Sequence, residues 1–298
     1  MDWLFKFDPN VQAAIISATV SLIISIISFP LKGYIEKCIL KYKLKKEYEF
    51  QQKKMIKERL AQSKTPLIKA AEELNFRLHN LSKNISQNWH TRTENELKSP
   101  NEGYYVKSFV YRLLLFLYWI DKAEEDIYHL DFSMAAKEEK IYLKYIKVLK
   151  HFFCESDLLN DLGYPYQDED AHFYKDRIKI YIDYINNNNS PMTYGEFAKK
   201  FEADYSSIKI VVNYISKIKK DPSNYQYNII SSFHLFLILF LNKYGLDYHY
   251  TSEEQFKSLA SCYKDISIKP ALIRFFEQNK IDEEVKWIKK YLNSPCLT

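Results

Sequence analysis

Two stretches of this 298-residue chain space carboxylates and histidine as a metal site or an acid–base pair would need them. Asp121, Glu125 and His129 recur every four residues, and so do Asp168, His172 and Asp176. On a helix, residues four apart share a face. A metal ion needs three or four ligands that converge, usually from more than one element. A single stripe offers two neighbours at a time. The first therefore reads as a charged turn closing a buried helix, and the second as acidic residues favouring a helix N-terminus. His151 and Cys154 also stand about one helical turn apart, but no second pair of that kind joins them. The chain has no H-E-x-x-H, no EF-hand loop, no G-x-S-x-G turn and no P-loop. No catalytic set, metal site or cofactor is expected from these residues.

Composition narrows the fold that could position any site. Five glycines are too few for a many-stranded sheet with tight hairpins or for a glycine-rich phosphate loop. Aromatic residues make up 16% of the chain, so rings should fill the core of an all-α protein. The net charge is +5, and lysine supplies most of the basic residues. Nucleic-acid readers favour the arginine fork, so nucleic acid is not expected as a partner. The four cysteines, Cys38, Cys154, Cys262 and Cys296, form no C-x-x-C pair and read as free thiols in a reducing compartment.

One segment has an unambiguous physical character. Pro9 to Leu31 is 23 residues without a charged side chain, and a membrane-spanning helix needs about 20. The acidic start and the end at Phe29-Pro30-Leu31 do not resemble a cleavable signal. Lys6 precedes the segment, whereas Lys32, Lys37, Lys41, Lys43, Lys45 and Lys46 follow it. The positive-inside rule then puts residues 1–8 outside the inner membrane and the bulk of the chain in the cytoplasm. The same six lysines can meet anionic headgroups, at about 1 kcal/mol each close to the surface. Within the segment, Ala14, Ser17, Ala18, Ser21, Ser25 and Ser28 recur at steps of three and four and share an arc of about 100°. Small residues let helices approach closely, so this face is expected to drive homo-oligomerisation.

The rest of the chain divides into helical stretches. Residues 32–62 read as a lysine-rich helical stalk, and 63–298 as a helical cytosolic domain. Thr65-Pro66 has the form of a helix start. Residues 84–103 read as a polar loop, and "NNNNSP" as a linker or loop. Thr193 with Glu196, and Ser252 with Gln255, fit capping boxes. The apolar run 228–242 is short and contains His234, which favours a core helix over a second span.

The stretches "PLIKAAEELNFRLHNL", "FLYWIDKAEEDIYHLDF" and, loosely, "MTYGEFAKKFE" resemble a group of uncharacterised bacterial membrane proteins. The resemblance covers about the middle half of the chain and implies an anchor followed by a helical domain, with no activity attached. Helical ribonuclease domains of bacterial defence often carry Arg followed four to six residues on by His. No arginine here is followed that way, and Arg77 and His79 are too close. The resulting expectation is a membrane-anchored, self-associating interaction or effector module with an unidentified cytosolic protein partner, of the kind a bacterial defence system uses to perturb a membrane. The alternative is a membrane-tethered nuclease or hydrolase with an unrecognised site.

Overall fold

A computed structural model describes residues 7–99, 102–126, 131–165, 169, 171–281 and 285–292. His129, Asp168, Lys6 and Cys296 lie outside the described residues. The regular structure is almost wholly helical: α1 (Pro9–Asn84), α2 (Glu94–Lys98), α3 (Tyr104–Glu125), α4 (Lys137–Cys154), α5 (Lys175–Ile185), α6 (Tyr194–Ala203), α7 (Lys209–Ser216), α8 (Tyr225–Tyr244), α9 (Glu253–Cys262), α10 (Lys269–Gln278) and α11 (Lys286–Leu292). The chain forms two compact units, Met1–Met55 and Ile56–Thr298.

In the first unit, α1 carries the apolar segment, and none of its most apolar 18-residue window is buried. It is long and apolar enough to cross a membrane by length and composition, and it is the one such helix among the described residues.

The second unit is organised around α8, whose residues from Gln226 to Leu241 are all buried. A helix that is apolar all round is covered on every side, which is why the run 228–242 belongs to a core. Rings do much of the covering. Tyr145 of α4 stacks on Phe236 at 5.1 Å, Phe153 meets Phe233 at 4.8 Å, and Phe276 of α10 stacks on Phe236 at 5.6 Å. A second layer places α5, α6 and α7 against α3. Tyr111 and Tyr118 of α3 tie it to the segment after α5 through hydrogen bonds to the Met192 and Asn189 carbonyls.

Two local expectations change and a third is made specific. Thr65-Pro66 starts no helix, because α1 runs through it. The buried face Ile56, Leu60, Ser63, Leu67, Ala70, Ala71, Leu74 continues across the proline without a break in period. An interior proline costs about 3 kcal/mol. Each buried leucine or isoleucine returns about 1.5–3 kcal/mol, so the packed face outweighs the local stop signal. Within 84–103, Thr93 and Glu96 form a reciprocal capping box that starts α2, so the stretch is more than a polar loop. The run "NNNNSP" closes a two-residue antiparallel hairpin, Asn186–Asn187 with Ser190–Pro191. Asn188 and Asn189 turn it with φ of 51° and 63°, a region asparagine tolerates without glycine. The Thr193/Glu196 and Ser252/Gln255 boxes both form as expected.

Candidate functional site

Along α1, Ala14, Ser17, Ala18, Ser21, Ser25 and Ser28 are all exposed, as are Lys32, Lys37, Lys41, Lys43, Lys45 and Lys46. The hydroxyl of Ser25 donates back to the Ser21 carbonyl (2.8 Å), and that of Ser28 to the Ser25 carbonyl (3.3 Å). Thr19 does the same toward Ile15 at 2.7 Å. These side chains have satisfied their donors inside their own helix. At Ser25 and Ser28 what the face offers a neighbouring helix is small size, while Ser17 and Ser21 are exposed without such a back-bond.

The described members of the two carboxylate–histidine stripes, Asp121 and Glu125 in one and His172 and Asp176 in the other, do not gather into a site. Asp121 is buried against Lys150, whose Nζ lies 2.9 Å from Asp121 Oδ1 and also donates to Glu124. Glu125 pairs with Lys122 at 2.8 Å. The first stripe therefore splits between two ion pairs, and its Asp121 is not a solvated turn residue. His172 is buried, with Nδ1 2.9 Å from the Tyr164 hydroxyl, while Asp176 sits in the first turn of α5. Burial pushes the His151 imidazole down to about 4 and the Cys154 thiol up to about 11, so neither is ionised near neutral pH. Among the described residues no three His, Cys, Asp or Glu side chains converge on a common point.

Folding builds a different cluster that the sequence does not announce. A cleft of about 450 Å³ opens between α1, the C-terminal part of α8, the turn at 247–249 and α9. His79, Glu72 and His249 line it, together with Asn75 and Cys262. The Leu246 N–H donates to His249 Nδ1 at 2.8 Å, so the ring proton resides on Nε2, which faces Glu72 Oε2 at 3.2 Å. Gly245 makes that approach possible. A Cβ there would stand 2.5 Å from the Leu241 carbonyl oxygen and 2.7 Å from His249 Nδ1. His249 Nδ1 is hydrogen-bonded within the turn, while Nε2 is buried close to Glu72 without a hydrogen-bond partner of its own.

Behind the cleft lies His234, completely buried on α8. Its Nε2 is 3.0 Å from Asn75 Oδ1 and its Nδ1 is 2.7 Å from the Tyr263 hydroxyl. The amide oxygen only accepts, so Nε2 carries the proton and Nδ1 accepts from Tyr263. Desolvation pushes this imidazole down to about 3. His79 meets His234 edge-on at 6.4 Å, and burial, helped by Lys83, lowers its affinity for a proton as well. His79 is exposed toward the cleft and is the neutral imidazole there that a solute could reach. Such a ring can take up a proton from a bound group. Arg77, two residues earlier, points instead into the core. Its Nη2 donates to Ser108 Oγ at 2.6 Å, and the guanidinium lies 4.3 Å from the Tyr105 ring centroid. Comparison of the chain with protein-family models, with curated proteins and with solved structures gives no match.

Proposed function

We propose that the protein is a single-pass, membrane-anchored helical module that assembles with copies of itself through the Ala14/Ser17/Ala18/Ser21/Ser25/Ser28 face, with its domain in the cytoplasm. The observation that carries this reading is the uncovered apolar segment. Leu22, Ile24, Ile26 and Phe29 are 59–84% exposed on a stretch of α1 whose most apolar window has no buried residue. Burying each such side chain is worth about 1.5–3 kcal/mol, so the segment belongs in lipid or against another apolar helix. The charge step from the apolar run to six exposed lysines supports the cytoplasmic orientation of the domain. In this reading the helical domain is an interaction or effector module of bacterial defence, and assembly of the anchors perturbs the membrane.

The back-bonded serines refine how the anchors meet. With the hydroxyls of Ser25 and Ser28 turned to their own carbonyls, close backbone approach rather than hydroxyl donation stabilises the contact at those two positions. Ser21→Leu with Ser25→Leu should abolish crosslinked oligomers in membranes, while Ser21→Ala with Ser25→Ala should keep them. Oligomers that survive the leucine pair would refute the assembly face. Loss of oligomers in the alanine pair would refute the size-based contact. The competing reading, a membrane-tethered nuclease or hydrolase, draws its support from His79 in the 450 Å³ cleft.

A further inference from the structure

The cleft of about 450 Å³ on the Ile56–Thr298 unit holds more recognition chemistry than proton transfer at His79 needs. Its walls on α1 and α9 each contain an amide whose orientation is fixed by a partner. Asn75 gives its oxygen to His234 Nε2 at 3.0 Å, and Gln255 gives its oxygen to the Ser252 N–H at 3.0 Å. An amide with its oxygen committed keeps its NH2 group as the donor for a solute. Glu72 supplies the opposite function. Its carboxylate lines the same cleft 3.2 Å from His249 Nε2, and that nitrogen makes no hydrogen bond, so the Glu72 oxygens remain acceptors. Glu72, Asn75 and Phe76 lie within about one turn of α1, so donor, acceptor and ring share one side of the helix.

Charge and surface narrow the class of solute. Glu72 and Lys83 are the one carboxylate and the one ammonium among the described lining residues, so the cleft favours neither an anion nor a cation. Ile238, Leu241 and Leu259 give it a buried apolar lining. Phe76 and Tyr248 line it as well, 63% and 72% exposed. Large rings left uncovered beside a cleft are surfaces that a planar ligand covers by stacking. The volume lies toward the lower end of the range for small-molecule sites, which suits one heterocycle with its sugar.

We propose that this cleft binds an uncharged nucleoside with an amino-substituted base. Adenine and cytosine carry an exocyclic amine beside ring acceptors. The amine donates to Glu72, the ring acceptors take hydrogen bonds from the Asn75 and Gln255 amides, and the base stacks on Phe76, a contact open to any base. Such binding needs neither assembly of the anchors nor turnover at His79, so both readings of function can fail without affecting it. The full chain in phosphatidylcholine nanodiscs is titrated with adenosine and followed by calorimetry. Adenosine should saturate one site per chain, with an affinity little changed by salt because the ligand carries no charge to screen. Purine riboside, which lacks the amine, should bind at least about tenfold more weakly, since it leaves the Glu72 carboxylate without a donor. Gln255→Glu keeps the oxygen that caps α9 and removes only the amide donor. It should keep the wild-type melting temperature and weaken adenosine at least about tenfold. Phe76→Ala, at an exposed position, should also leave the melting temperature unchanged and weaken binding. In Glu72→Gln the preference for adenosine over purine riboside should shrink. Equal binding of the two nucleosides overturns the proposal, as does adenosine affinity unchanged in Gln255→Glu or in Phe76→Ala. Absence of saturable binding by both adenosine and cytidine overturns it too, and AMP binding tenfold more tightly than adenosine overturns the choice of an uncharged ligand.

Discussion

His234 makes the second unit sensitive to acid in a way that can be measured. Its ring is fully buried, and its proton is held on Nε2 by Asn75 while Nδ1 accepts from Tyr263. Desolvation pushes its pKa in the folded chain down to about 3, whereas an unfolded chain leaves it near the ordinary value of about 6.5. The folded value lies below the unfolded one, so acid protonates the unfolded state first. The contribution is constant above about pH 6.5 and is lost progressively as pH falls toward about 3. Each pH unit in that window costs about 1.4 kcal/mol, or about 3 kcal/mol by pH 4.5. Domains of this kind are stable by only about 5–15 kcal/mol, so the loss is a sizeable fraction of the whole. His151, pushed down to about 4, and His79, His90 and His172, all lowered chiefly by burial, act in the same direction. Comparison with a His234→Gln variant isolates the single ring. Denaturant unfolding of the detergent-solubilised full chain, followed by circular dichroism from pH 7.5 to 4, should show the variant less stable at neutral pH. Its slope below about pH 6.5 should be shallower by about 1.4 kcal/mol per unit. Parallel profiles would refute the reasoning, as would an NMR titration of His234 in the folded protein with a midpoint near 6.5.

A buried cation gives a second measurement. Lys107 has a side chain only 3% exposed, and its Nζ donates to the Ser99 carbonyl at 2.7 Å and to Glu202 Oε1 at 2.8 Å. Glu202→Ala strands that ammonium and should cost about 3 kcal/mol. Adding Lys107→Met should restore most of the loss, so a double variant no more stable than Glu202→Ala alone would contradict the account. The enzyme reading predicts that His79→Ala, at an exposed position, removes any hydrolysis of nucleic acid or phosphoester substrates by the purified chain without shifting its melting temperature. Turnover that persists in the variant excludes His79 as the base.

Much of the helical layout was legible from the residues alone, for identifiable reasons. A charge-free run from Pro9 to Leu31 is long and apolar enough to cross a membrane, and the face carrying Ser21 and Ser25 follows from helical periodicity. Thr193, Glu196, Ser252 and Gln255 cap within three residues of one another, so their hydrogen bonds are written locally. The start at Thr65-Pro66 misled because a local stop signal cannot register the buried face that continues on both sides of it. The box at Thr93 and Glu96 was present in the sequence, and the polar residues around it hid it.

What neither spacing nor composition could reveal is which distant residues meet. Asn75 and His234 are 159 positions apart, yet they share a hydrogen bond. Lys144 and Lys280, 136 apart, meet where the Lys144 ammonium donates to the Lys280 carbonyl. Asp121 lay on a regular stripe, and tertiary packing gave it Lys150 instead of a metal partner. By itself the sequence determined most of the helices, the apolar segment and its small-residue face, because those depend on interactions within a turn or two of helix. The tertiary structure alone decided that α8 is enclosed, that His234 is neutral, and that Glu72, Asn75 and Gln255, from two helices far apart in the chain, line one cleft. Those outcomes depend on burial and on polar groups brought together across the fold, features that exist only once the chain has packed.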